Sequence, residues 1–526
     1  MNIRPDLVRG LPLVVATALA VVVTGCGASS SERGIRDVDA GSLDDAAVSQ
    51  DVHGDGAVQD AADPRDVAHM EDASDASSSD AADVDSGDTD VATRFNPRFR
   101  RVGRLLSPHP SGAVSQNEYR LALSADASCV VFTTASHAAL DPLGIDVETH
   151  GVYLVDLATE VFERVDLESD GSIPVGEEEA RFEYGSEINV DGRGEGGRRV
   201  VSGDCQVVAF TSSLDLGPSA DEGGRWTYIR DRASSSTLRA SFPEGHDGPS
   251  VVSADGNRVF FRDHLESRDG GPPWVQTVEL WMWDRALQTR TWVRPADATV
   301  RATPSTEIHA SSDGAVVSFF MVARPNVPTL CPSGQCLARV EPDTGVAEIV
   351  FEDLDRGNGA ARFAMSHDGA RYAVYTGADL LDLVAEDVTP SPGLYWLDLP
   401  SGELRLINRG GDGLPLSGVG TFFDINADGR YVVFAHASGE PLIEGGPAAD
   451  GLYRYDADAD ALELLNVDAD GVYNPNVRRP RFDGLAIDGS GQVIVFRDHE
   501  APGFSNGLVP GDPDELDTGL FIWDGR

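Results

Sequence analysis

Seven times along this chain a short polar turn is followed by a β-branched apolar run. The pattern is Ser-x-Asp-Gly and then a run that ends on a large apolar residue. Its copies start at Ser124, Ser202, Ser253, Ser311, Ser366, Asn426 and Asp488. Eight positions on stand Phe132, Phe210, Phe261, Phe319, Val374, Phe434 and Phe496. Repetition at roughly 50–60 residues is the signature of a solenoid or a propeller.

Each copy reads as four short strands, A to D. In the first copy they are predicted over 119–123, 129–133, 151–157 and 161–167. The A–B connection is an Asp-Gly turn at Asp255-Gly256, Asp313-Gly314, Asp368-Gly369 and Asp428-Gly429, where glycine supplies the positive φ of a tight hairpin. Ala127 and Cys205 stand where other copies have Gly, so those two turns are expected to differ. Strand C carries its own mark, an aromatic followed three residues later by Asp: Tyr153 and Asp156, Tyr395 and Asp398, Tyr453 and Asp456, Phe521 and Asp524. The C–D connections are equally short. The B–C connections are long, as in 140–150, 264–274, 380–392 and 501–518, and so are the D–A connections. In an antiparallel blade the A–B and C–D turns share one face of the disc. One face is therefore trimmed and the other elaborated, and elaborated loops on a rigid scaffold are where function usually sits.

The last copy stops at Arg526, just after its strand C. The segment 99–106, Phe-Arg-Arg-Val-Gly-Arg-Leu-Leu, reads like an orphan strand D. An N-terminal strand that completes the last blade would remove two open sheet edges. The expected fold is all-β: a seven-bladed β-propeller of four-stranded antiparallel blades. At residues 253–261 (Ser-Ala-Asp-Gly-Asn-Arg-Val-Phe-Phe), at 426–434 and in the strand-C run that starts at Gly393, the chain resembles the WD40-like repeat of TolB-type propellers. The resemblance covers about 98–526 and implies the fold. TolB proteins carry a separate N-terminal α/β domain that has no counterpart here, so a role in the Tol–Pal system is not implied.

Ahead of the repeats the pattern changes. Arg4 and Arg9 precede an apolar stretch from about Leu11 to Val23, which has signal-peptide shape. It ends in Val23-Thr24-Gly25-Cys26, like a lipobox, so residues 1–25 are expected to be removed and Cys26 to carry lipid. Gly27, in place of Asp, favours the outer membrane of the cell envelope. Residues 26–97 read as a disordered acidic tether. Between 27 and 92 there are 18 acids against 3 Arg, a local charge of −15, with no aromatic. Such a segment cannot bury enough apolar surface to offset its ordering entropy. The chain as a whole carries −46, of which −32 falls on 93–526. That balance excludes a nucleic-acid role, which needs Lys and Arg for the phosphates.

Of five Cys, Cys331 and Cys336 flank a turn-like tetrapeptide and are expected to staple it in an oxidising compartment. Whether Cys129 and Cys205 pair stays open. No local motif for nucleotide binding, zinc proteolysis or a nucleophile elbow is present, and no catalytic residue or resident cofactor is assigned. Phe-Arg-Asp-His occurs at 261–264 and at 496–499, so His264 and His499 are candidate binding-face residues. They fall in opposite parts of the ring, which favours repeat descent over a shared site. Asp141, Asp146, Asp382, Asp387, Asp512 and Asp514 crowd the long loops. They are weak calcium candidates against the plainer reading of solvated surface. Trp281 and Trp283 share strand parity and are assigned to the core. Trp274, in a Pro-rich loop, is a candidate contact. The reading that follows is a monomeric, surface-tethered, non-catalytic binding or scaffold propeller that holds a protein, peptide or glycan on its loop face. The alternative is a propeller enzyme, a hydrolase or lyase, acting on an extracellular polymer.

Overall fold

The computed structural model describes residues 98–526 apart from the connections 103–120, 135–150, 173–198, 217–225, 243–245, 266–276, 298–303, 323–329, 332–333, 355–360, 382–390, 438–439, 444–450, 468–470, 474–481 and 499–518 and a few single positions. Cys26 and the tether lie outside the described residues. The described strands form seven antiparallel sheets, each a blade of a propeller. In blade 1 the strands are Leu121–Leu123 (A), Cys129–Thr134 (B), Gly151–Asp156 (C) and Phe162–Arg164 (D). Blade 7 takes A, B and C from Phe482–Ile487, Val493–Asp498 and Gly519–Asp524, and its fourth strand is Phe99–Arg101. Phe99 pairs with Trp523 and Arg101 with Phe521. Phe99 is 4% exposed and meets Phe496 edge to face at 6.0 Å. The ring is thus closed by its N-terminal strand, as the truncated last copy predicts.

One blade departs from four strands. Blade 2 has B, C and D (Val207–Ser212, Trp226–Asp231, Ser236–Arg239), while its innermost position is filled by 199–202 through a single bridge, Val201 to Val208. That segment is shared between two blades: the Val200 carbonyl accepts from the Ala209 amide of its own blade, and the Arg199 carbonyl accepts from the Val252 amide of blade 3.

The repeat pattern has a direct cause in hydrogen bonding. The first residue of each copy accepts the amide five residues on, at the start of strand B. Ser202 Oγ accepts from Val207 at 2.9 Å, Ser366 Oγ from Arg371 at 2.9 Å and Asn426 Oδ1 from Tyr431 at 2.8 Å. The Asp two residues on takes the Ser hydroxyl proton and one further amide, as Asp255 does from Ser253 and Asn257. In blade 7 the two residue types change places, and Ser490 donates to Asp488 at 2.6 Å. Local side-chain capping of this kind favours turns over continued ladder.

The expectation that the first two turns differ is overturned. Ala127 and Cys205 adopt φ of 57° and 60°, beside 66° to 76° at Gly256, Gly314, Gly369, Gly429 and Gly491. All seven turns share one left-handed conformation. At the glycine positions the space a Cβ would need is filled by the first strand-B residue of the preceding blade. A Cβ on Gly314 would lie 2.6 Å from Arg258, and one on Gly429 2.5 Å from Arg371. Cys205 uses that same contact covalently, since it is disulfide-bonded to Cys129, the first strand-B residue of blade 1. A left-handed non-glycine residue costs on the order of 1–2 kcal/mol, whereas a cross-link 76 residues apart in sequence contributes about 4 kcal/mol in the chain-entropy picture. Cys331 and Cys336 form the second disulfide, within their own loop.

The core lies between blades. Val130, Phe132, Tyr153 and Val155 of blade 1 pack with Val493, Val495, Leu520 and Ile522 of blade 7 and with Val102. The strand-B phenylalanines are buried and stack on the strand-C aromatics: Phe132 on Tyr153, Phe210 on Tyr228, Phe434 on Tyr453 and Phe496 on Phe521, at 5.7–6.0 Å. This is why both strands carry an aromatic at fixed offsets.

Candidate functional site

The innermost strands line the axis, and the A–B turns gather around its end on the turn face. The residue between the two polar positions of each turn forms a ring: Ala125, Gly203, Ala254, Ser312, His367, Ala427 and Gly489. Backbone hydrogen bonds join neighbours around it. Gly203 donates to Ala254, Ser312 to His367, His367 to Ala427, Ala427 to Gly489 and Gly489 to Ala125, at 2.6–3.2 Å. Asp255 donates to Ser312 in the same way. Among the described residues the junction of blades 1 and 2 has no such bond, and it is the one that carries the Cys129–Cys205 disulfide.

Small residues keep this ring tight, and His367 is its exception. Its imidazole lines a cavity of about 10 Å3, on the order of one water, together with Arg199, Asp424, Leu123 and Ile487. Arg199 of blade 2 crosses the axis and donates to the carbonyls of Ala310 in blade 4 and Met365 in blade 5, both at 3.0 Å. Asp424 accepts from its neighbour Ile425 at 2.8 Å and from Ile487 of blade 7 at 3.0 Å. Burial dominates the electrostatics. It lowers Arg199 to about 10 against the pull of Asp424 and Asp368. Burial and then Arg199 push His367 down to about 2, so its ring is neutral. Burial raises Asp424 to about 6, opposed by its two amide donors and by Arg199. A carboxyl that titrates near neutrality beside a neutral imidazole has the ingredients of acid–base chemistry. The space between them admits nothing larger than water, so the constellation acts as a brace across the channel.

The rest of the turn face is consumed by inter-blade staples. Arg232 pairs with Glu163 of blade 1 at 2.6 Å, and Arg285 with Asp231 of blade 2. Arg258 reaches Asp343 and the Gly314 carbonyl of blade 4, both at 2.9 Å. Arg454 bonds Glu463 and the Gly491 carbonyl of blade 7. These are bidentate or carbonyl-capping arginines, a geometry that holds neighbouring blades in register.

Of the sequence-derived binding and calcium candidates only His264 lies among the described residues. His264 lies in strand B of blade 3, opposite His246 of strand A and Val278 of strand C. Its neighbour Asp263 is buried and accepts the Phe242 amide at the end of blade 2, which gives the first Phe-Arg-Asp-His copy a structural task. The second copy belongs to blade 7, where Phe496 is core and Asp498 ends strand B. His499, Trp274, Asp141, Asp146, Asp382, Asp387, Asp512 and Asp514 lie outside the described residues. Among the described residues no group of three or more His, Cys, Asp or Glu side chains could hold a metal ion. Trp283 is core at 5% exposure, but Trp281 is a half-buried rim residue that stacks on Trp292 and meets Phe242 at 4.7 Å. Strand parity alone could not separate the two, because one lies under blade 2 and the other at the edge of its groove.

No protein-family model matches the chain, and no curated protein matches its sequence. Solved structures similar to it include TolB from Acinetobacter baumannii, at 15% identity and a TM-score of 0.32 over 55% of this chain and 57% of that one. The similarity to TolB thus spans under two thirds of that protein's length. An oligogalacturonate lyase from Vibrio parahaemolyticus is 13% identical, with a TM-score of 0.44 over 82% of this chain and 97% of that one. An acylaminoacyl peptidase from Pyrococcus horikoshii is 12% identical, with a TM-score of 0.44 over 78% and 51%. Likeness at this level leaves the fold to rest on the seven sheets themselves.

Proposed function

We propose that this protein is a non-catalytic binding or scaffold propeller of the bacterial cell envelope, anchored through lipid on Cys26, which uses its B–C/D–A loop face to hold a protein, peptide or glycan. The observation that carries the reading is the asymmetry of the disc. The turn face is tied by backbone hydrogen bonds between neighbouring turns, by a disulfide at the junction of blades 1 and 2 and by arginine staples, with Arg199 braced across the axis. Its turns are short, four to six residues between strands C and D, and build no pocket larger than the small one at Arg199, His367 and Asp424 among the described residues. The connections that differ most in length lie on the other face, as function carried by loops on a repetitive scaffold requires. The acidic balance favours a cationic or neutral partner there.

The test is loop replacement in the full chain. Short linkers in place of 380–392 or 501–518 should weaken partner binding at least tenfold and leave the melting temperature within a few degrees. Exchanging the Asp-Gly turns among blades should leave binding intact. Turnover of a polysaccharide, ester or peptide by the purified protein, lost in His264→Ala or His499→Ala, would replace this reading with an enzymatic one.

A further inference from the structure

The groove between blades 2 and 3 departs from the neighbouring blades at several positions. The residue two positions past strand D normally pins the start of strand C through a side-chain acceptor. Asp166 accepts from Val152, Ser241 from Thr227, Asn408 from Leu394 and Asn466 from Leu452, at 2.7–3.2 Å. In blade 3 the preceding backbone bond is retained, Val293 to Leu280, but the next residue is Arg294, which has no oxygen to offer and is exposed. The strand-D residue opposite the strand-C aromatic is Arg164 in blade 1, where Asp166 neutralises it at 2.8 Å. The same position in blade 2 is Arg239, and Ser241 stands where its acid would be. In blade 3 that position is Trp292, opposite Trp281.

These departures converge. Arg290 and Trp292 alternate along strand D and so share a face, from which Arg290 reaches blade 2, and Arg294 follows two residues past the strand end over Trp292. Arg290 donates to the Arg239 carbonyl at 2.8 Å and lies over Phe242 at 4.9 Å, and Arg294 lies over Trp292 at 5.0 Å. Among the described residues none of Arg239, Arg290 and Arg294 forms an ion pair, whereas arginines around the turn face reach a carboxylate. The acid that acts on Arg290 is Asp263, which raises the Arg290 pKa without forming an ion pair with it and also accepts the Phe242 amide. Burial and Arg239 both lower the Arg290 pKa, a cost that a bound anion would relieve. Three guanidiniums, each over an aromatic ring and none in an ion pair among the described residues, are thus held together on a chain of charge −46.

The strand that carries Arg290 and Trp292, Thr289–Trp292, is the outer edge of its sheet, and among the described residues no further strand pairs with it. We propose that this rim binds an acidic peptide segment by strand addition, with carboxylates on alternate residues opposite Arg290 and Arg294. Main-chain pairing supplies register and the two arginine forks supply selectivity. The site lies on the rim, apart from the loop face, and does not depend on the loop-face function.

The test uses the full chain and a synthetic peptide that alternates Glu with Val, read by titration calorimetry and tryptophan fluorescence at low salt. Binding should fall at least tenfold in R290E/R294E, whose melting temperature should stay within a few degrees of the parent and whose near-ultraviolet circular dichroism should match it. It should fall similarly when the peptide is N-methylated on alternate residues. Replacing 501–518 should not affect it. Absence of binding, equal binding by R290E/R294E, or equal binding of the N-methylated peptide would overturn the proposal. So would polygalacturonate binding as tightly as the peptide, because it offers carboxylates without a strand.

Discussion

The turn face and the rim between blades 2 and 3 are built from the same residue types and treat them in opposite ways. On the turn face arginines end on carboxylates or on the carbonyls of the next blade, as Arg232, Arg258 and Arg454 do. On the rim Arg239, Arg290 and Arg294 lie over aromatic rings and none meets a carboxylate among the described residues, although Arg290 also donates to the Arg239 carbonyl. One region repeats a solution seven times, and the other abandons it at successive positions. In a repeat protein the fold is carried by what recurs, and recognition is found where the recurrence fails.

The largest test of this contrast removes what closes the ring. Deleting 93–107 takes away the fourth strand of blade 7 with the buried Phe99 and Val102. Burial loss on this scale costs more than about 5 kcal/mol, so the variant should melt far lower or aggregate, and calorimetry would read it. Next comes the covalent junction. Cys129→Ser with Cys205→Ser should cost about 4 kcal/mol in urea unfolding. Cys129→Val with Cys205→Gly should recover part of that, because it installs the glycine-on-valine contact that Gly256 makes with Val207. Equal losses in both variants would show that the disulfide is not simply the covalent form of that repeated contact.

Asp424 offers a third, pH-dependent test. Its folded pKa of about 6 lies above the ordinary carboxyl value of 3.8. A group raised in this way favours the fold fully below about pH 4, and that contribution is lost as pH rises through 6. The difference is on the order of 3 kcal/mol. Asp424→Asn should flatten the stability profile between pH 4 and 6, measured by urea unfolding. A parental slope in the variant would place the effect elsewhere. The smallest effect belongs to the rim: Arg290→Glu with Arg294→Glu should cost about 1 kcal/mol, because it removes one hydrogen bond to the Arg239 carbonyl and two ring contacts.

Much of the fold is legible in the sequence, because strand periodicity, turn chemistry and the orphan strand at 99–106 are local. What is not legible lies between copies. The Cys129–Cys205 bond requires knowing that the fourth turn residue of one blade meets the first strand-B residue of the blade before it. Reading Ala127 and Cys205 as different turns went wrong for a related reason: the left-handed conformation is imposed by the ring, and propensity yields to it. Arg199, His367 and Asp424 come from three blades at unlike positions, so no spacing announces them. The polar residue after strand D, at Asp166, Asn408 and Asn466, was visible as a weak periodic signal. Aligning the copies on it would have exposed Arg294 as the exception.

The central claim is that the loop face, and not the turn face, meets a partner. Site-specific photo-crosslinking in living cells tests it most directly, with the reactive residue at Trp274 or His499 on the long loops and at Ala158 or Ala233 on the short C–D turns. Discrete crosslinked products from the loop positions, with none from the turn positions, are predicted. Products of equal yield from the turn positions would contradict the account.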